Sequence, residues 1–82
     1  MSVYVYTASW CKLCDVLKKE VYGPLQQEHT AYKWYILDID EIDDNHFIPS
    51  TVPFVRVVKT QGGAATELSG YAEINNSLEL LL

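Results

Sequence analysis

The sequence predicts an α/β fold, and three observations carry that prediction. An apolar, β-branched and aromatic run, Val3-Tyr4-Val5-Tyr6, is followed at once by a helical stripe. A second apolar run, Lys33 to Ile39, follows that stripe, as in a βαβ unit. Two further short runs then flank a glycine-rich turn and lead into a closing amphipathic stretch. The element order is β-α-β-α-β-β-α. At 82 residues the chain has room for one domain, taken as residues 1–82. Its composition, 49% hydrophobic and 21% charged, is that of a folded globular protein and argues against disorder.

Residues 2–6 alternate and form the first strand. Thr7-Ala8-Ser9-Trp10 is a loop. From Cys11 onward, Leu13, Cys14, Leu17, Val21 and Leu25 trace one face of a helix. Gly23-Pro24 interrupts it, because proline lacks an N–H and clashes with the preceding turn. The helix either ends near Tyr22 or kinks and runs on to Glu28. Lys33 to Ile39 is the second strand, parallel to the first; its near-continuous apolar character predicts burial on both faces. Asp40 to Phe47 is acidic and is assigned a short helix capped by Asp40. Ile48 to Thr51 connects to a third strand, Val52 to Val58. A turn at Gln61-Gly62-Gly63 returns the chain antiparallel over Ala65 to Leu68. Gly70 stops that strand. Tyr71 to Leu82 is the last helix, with Ile74, Leu78 and Leu81 on one face.

Charge and hydropathy exclude several classes. With a net charge of −5 and only six lysines and arginines, a phosphate-tracking basic patch is not expected, and nucleic acid is not a predicted partner. No apolar stretch approaches the roughly 18–20 residues of a membrane span, so no membrane association is expected. Met1-Ser2-Val3-Tyr4 shows no basic segment leading into an apolar one, and two cysteines are too few for a disulfide scaffold. A cytoplasmic monomer is the expectation.

The chemistry is concentrated in Trp10-Cys11-Lys12-Leu13-Cys14. The only two cysteines lie three positions apart, where a strand feeds the first turn of a helix. Residues i and i+3 share a side of a helix, so a disulfide can close between them. A helix N-terminus presents partial positive charge and free N–H groups, which stabilise a thiolate, the reactive form of cysteine. Cys11 is expected to be the exposed nucleophile and Cys14 the shielded resolving thiol. The helix end and the Lys12 ammonium are both expected to lower the Cys11 pKa from its free value of about 8.5. Trp10 either walls the sulfur or fills the core. Two blander readings of the pair stand beside this one. Buried inert cysteines are disfavoured by the strand–helix setting. A zinc site with His29 and His46 departs from the usual histidine spacing. No metal is predicted.

The Trp-Cys-x-x-Cys after the first strand, with Thr51-Val52-Pro53 before a later one, resembles the thioredoxin/glutaredoxin superfamily over Val3 to Leu82. That resemblance implies a thioredoxin-like fold, a four-stranded mixed sheet with helices on both faces, in a glutaredoxin-sized chain. It implies that Pro53 is cis and faces the cysteines, and that the Val52 backbone pairs with a substrate chain by short strand addition. The alternative for Pro53 is a plain proline opening a strand. Thr51, Gly70 and Tyr71 correspond to positions at which glutaredoxins hold glutathione, although Ser69-Gly70-Tyr71-Ala72-Glu73 carries one glycine and a glutamate. Lys12-Leu13 matches the intervening dipeptide of neither branch.

The function implied is reduction of protein or small-molecule disulfides by a Cys11–Cys14 dithiol. Trp10, Lys12, Thr51, Val52, Pro53, Gly70 and Tyr71 are the candidate substrate-binding residues. No bound cofactor is expected, and glutathione or a flavoprotein reductase would supply electrons. A competing reading is a binding module that docks a partner around Trp10, Pro53 and Tyr71, with redox chemistry incidental. A third is a dimer bridging an iron–sulfur cluster through Cys11 and glutathione.

Overall fold

The computed structural model describes residues 1–43, 45–59 and 64–82. Four strands, β1 (Ser2–Thr7), β2 (Lys33–Asp38), β3 (Phe54–Val58) and β4 (Thr66–Ser69), form one mixed sheet in the order β2-β1-β3-β4. β1 and β2 are parallel, with Val3 opposite Trp34 and Val5 opposite Ile36. β1 pairs antiparallel with β3, and β3 with β4. The expected four-stranded mixed sheet and βαβ unit are both present. The Gln61-Gly62-Gly63 turn lies outside the described residues.

Strand alternation sorts the sheet into two faces. Val3, Val5, Val55, Val57 and Leu68 point to one face, where they pack with Leu17, Tyr22, Leu25, Ile74 and Leu78 as the main core. Those partners come from α1 (Lys12–Leu17), α2 (Gly23–Glu28) with the turn joining them, and α3 (Tyr71–Leu81). The predicted stripe of the last helix is correct in Ile74 and Leu78, which are fully buried, while Leu81 is half-buried.

The helix after β1 does run through Gly23-Pro24 to Glu28, by way of a π-helical turn over Lys18–Tyr22. The Gly23 N–H donates to the Lys18 carbonyl, five residues back. A Cβ on Gly23 would lie 3.1 Å from that oxygen, so the close approach favours glycine. This turn corrects the predicted stripe. A step of five separates the buried Leu17 from the next fully buried side chain, Tyr22, and Val21 is only half-buried. Unbroken α-helical spacing places Val21 there instead.

Two further expectations change. β2 is not covered on both faces: it is an edge strand, and Tyr35 and Ile36 are exposed. The predicted helix over Asp40 to Phe47 is replaced, among the described residues, by turns. The aspartates are the cause, because their side chains compete for the backbone. Asp38 Oδ1 accepts the Asp40 N–H at 2.9 Å, and Asp43 Oδ1 accepts the Asn45 N–H at 3.2 Å. Helices therefore cover one face of the sheet among the described residues, not both.

The second face carries aromatic side chains. Tyr4 stacks on Tyr35 with ring centroids 5.1 Å apart. The turn segment delivers Phe47 onto Tyr6 and Phe54, each 5.6 Å away, and the Arg56 guanidinium lies 4.0 Å above the Phe47 ring while pairing with Glu67. Among the described residues no helix is long and apolar enough to cross a membrane.

Candidate active site

Cys11 and Cys14 are joined in a disulfide with Cα atoms 5.3 Å apart. The loop leaving β1 turns back on itself, the Cys11 N–H donating to the Ala8 carbonyl at 3.1 Å. Cys11 then sits in extended conformation as the N-cap of α1. Its Sγ takes the position usually held by a serine or aspartate oxygen, accepting the Cys14 N–H at 3.2 Å. The first helical turn thus points one of its unpaired donors at the Cys11 sulfur. Charge building on that sulfur on reduction meets an amide already aimed at it, and this favours the thiolate.

Cys14 is completely buried, and Cys11 keeps 8% of its surface. The asymmetry runs in the expected direction, but Cys11 is not the open sulfur the sequence suggested. In the disulfide it packs with Ala8 and Cys14, and Ile39 and Val52 close over that group.

Val52-Pro53 is a cis peptide, as the resemblance implied. Pro53 is buried, and its carbonyl accepts the Gly70 N–H at 3.0 Å. Among the described residues no backbone hydrogen bond engages Val52. The Val52 peptide groups beside the disulfide are therefore without a backbone partner among the described residues. Next to them the Thr51 and Ser69 hydroxyls lie 3.2 Å apart. Gly70, at φ 89°, turns the chain from β4 into α3, a conformation that glycine adopts without strain. The Ser69 N–H donates to Glu73 Oε1 at 3.3 Å, so the Glu73 carboxylate folds back over the start of α3.

The alternatives for Trp10 are resolved in favour of the surface. The indole is 64% exposed, and its N–H donates to Asp40 Oδ2 at 2.9 Å. Asp40, read from the sequence as a helix cap, instead tethers Trp10. The signal was present in the pair of aspartates closing the second strand, but nothing local pairs Asp40 with a residue thirty positions earlier. Ile39, packed against the disulfide, was likewise missed as a site residue. Lys12 and Leu13 are exposed beside the cysteines. Tyr71 is half-buried and packs against the main core. His29 caps α2 and meets the Tyr32 ring edge-to-face, and His46 lies in the turn segment. Among the described residues no three His, Cys, Asp or Glu side chains gather as a metal-holding group.

No protein-family model and no curated protein sequence matches this chain. Among solved structures it is similar to thioredoxin O2 from Arabidopsis thaliana in its oxidised state, with a TM-score of 0.76 and 29% identity over 98% of this chain and 73% of that one. The likeness fits the geometry above: a four-stranded mixed sheet with its cysteine pair at the first helix.

Proposed function

We propose that this chain, whose fold is thioredoxin-like and whose Cys-x-x-Cys pair supports thiol–disulfide redox function in general, is a dithiol–disulfide oxidoreductase that reduces disulfides of other molecules. The observation that carries the reading is the Cys11 sulfur at the helix N-cap, on the Cys14 N–H, with Val52 beside it.

In the reduced protein the Cys11 thiolate attacks one sulfur of a substrate disulfide. A new S–S bond forms, the substrate disulfide breaks, and the departing thiolate takes a proton from solvent. Cys14, deprotonated in turn, attacks Cys11 Sγ. The mixed disulfide breaks, the second substrate thiol leaves, and the Cys11–Cys14 disulfide holds the two-electron oxidation. The preference for attack at Cys11 follows from burial: Cys14 has no surface from which to meet a substrate. The open backbone at Val52 supports strand-like pairing with the substrate chain. Lys12 and Trp10 flank the attack, and Thr51, Pro53 and Gly70 hold the Val52 segment in place. The candidate reductants are glutathione and a flavoprotein reductase. The reading assigns no bound cofactor, a monomeric state and a cytoplasmic location.

The test follows reduction of insulin and of a mixed glutathione disulfide by wild type, Cys11→Ser and Cys14→Ser. Wild type should turn over both, Cys11→Ser neither, and Cys14→Ser should accumulate a mixed disulfide through Cys11. Equal behaviour of all three proteins refutes the reading. A partner retained equally well by the double serine variant would point to a docking module instead.

A further inference from the structure

We infer that the substrate is a protein disulfide flanked by apolar and basic side chains, and that anionic thiols such as glutathione are poor partners; this rests on the oxidoreductase reading above. The rim of the disulfide has two properties, and both concern what approaches it.

The first is apolar exposure. Trp10 is 64% exposed and Leu13, between the two cysteines, 51%. Val16, one turn further along α1, is also exposed and shares the Leu13 side of the helix. Single exposed apolar residues are ordinary, but here a tryptophan and two aliphatic side chains are exposed at positions that flank and separate the two cysteines. A partner residue that lies on them removes apolar surface from water on both sides, and an exposed tryptophan is the side chain best suited to such an anchor.

The second is charge. Asp40 is held on the indole of Trp10, the residue before Cys11. Glu73 is held on the Ser69 amide, and the Ser69 hydroxyl pairs with Thr51, the residue before Val52. Asp15 follows Cys14 directly and is exposed on the first turn of α1. Against these stands Lys12, inside the motif. A chain that reaches the disulfide therefore meets three carboxylates against one ammonium near it in sequence or through a hydrogen bond, on a protein whose net charge is −5. Arginine or lysine beside the substrate disulfide is attracted, and acidic residues are repelled. Glutathione carries two carboxylates and one ammonium. The Ser69 amide, a donor that could receive one of those carboxylates, already serves Glu73.

The probes are two disulfide-bridged peptides of equal length, one with leucine and arginine flanking the disulfide and the other with serine and glutamate. Glutathione disulfide is the third probe. Electrostatic steering of this kind changes encounter rates by about tenfold or more at low salt, so kcat/KM for the leucine–arginine peptide should exceed that for the serine–glutamate peptide by about that factor. The gap should narrow as salt approaches about 1 M, where screening shortens to about 3 Å. Asp15→Asn combined with Glu73→Gln should also narrow it. Glutathione disulfide should group with the acidic peptide. Equal rates, a faster acidic peptide, or a ratio indifferent to both salt and the double variant overturns the specificity while leaving the oxidoreductase reading intact. Reduction of neither peptide, with Cys11→Ser indistinguishable from wild type, overturns both.

Discussion

Tyr22 offers a sharp test of the packing. Its ring is buried in the main core, and its hydroxyl has no hydrogen-bond partner among the described residues. A buried, unpaired polar group costs about 1–3 kcal/mol. Tyr22→Phe removes the hydroxyl and keeps the ring, so no large cavity forms. At pH 7 the variant should be more stable by about 1 kcal/mol, which for a domain of this size raises the melting temperature by about 4–8 °C. The gap should widen in alkali. Burial pushes the Tyr22 phenol well above its ordinary value, whereas in the unfolded chain it titrates near 10. Between those two values the folded state holds a proton that the unfolded state has lost. Stability is therefore fully present below pH 10 and falls as pH rises beyond it. At pH 11 the unfolded phenol gains about 1.4 kcal/mol from ionisation, since RT ln(1 + 10) is about that amount. Phenylalanine cannot ionise, so the difference between the two proteins should grow by about the same figure. Burial also raises the Tyr6 phenol, but Tyr6 is common to both proteins and cancels. Urea denaturation of oxidised wild type and Tyr22→Phe at pH 7 and pH 11 measures both quantities. A gap that stays constant between those pH values would show that the Tyr22 hydroxyl reaches water, and the packing argument would be wrong.

Two other perturbations read the site and its base. Asp40→Ala should free the Trp10 indole, lowering its fluorescence anisotropy in a Trp34→Phe background, while Asp40→Asn, which keeps an acceptor oxygen, should restore most of it; identical anisotropy in both variants would deny Asp40 a tethering role. Thr7→Val replaces a buried hydroxyl that lacks a partner among the described residues, so denaturation should find it neutral or up to about 1 kcal/mol more stable. A loss larger than that would reveal a hydrogen bond to Thr7 Oγ1.

The features legible in the sequence were those set by local rules. Alternation gave β1, and the cysteine spacing gave a closable pair at a helix start, because i and i+3 proximity needs no distant partner. Pro53 was readable through its resemblance to a known motif. Long-range pairing was not readable. Nothing near Lys33 to Ile39 shows that its run ends at the sheet edge, because hydrophobicity is the same whether a strand is central or outermost. Nothing near Trp10 shows that Asp40 will hold its indole at the surface. Asp38 and Asp43 did carry a signal against the second helix, since aspartate side chains bond the backbone in turns, but acidic composition and a capping residue outweighed it. Tyr71 was placed at the site by analogy with a motif it matches only in part, and it packs against the main core.

The helix after β1 has a property beyond its shape. An α-helical proline at position 24 would press its ring against the Glu20 carbonyl, four residues back. The widened turn from Lys18 to Tyr22 changes the spacing at that point, so the supernumerary residue and the proline are matched. Shortening this segment by one would keep Leu17 and Tyr22 in phase but recreate the collision. Replacing Pro24 alone would leave the bulge without its reason. The two features are expected to change together or not at all.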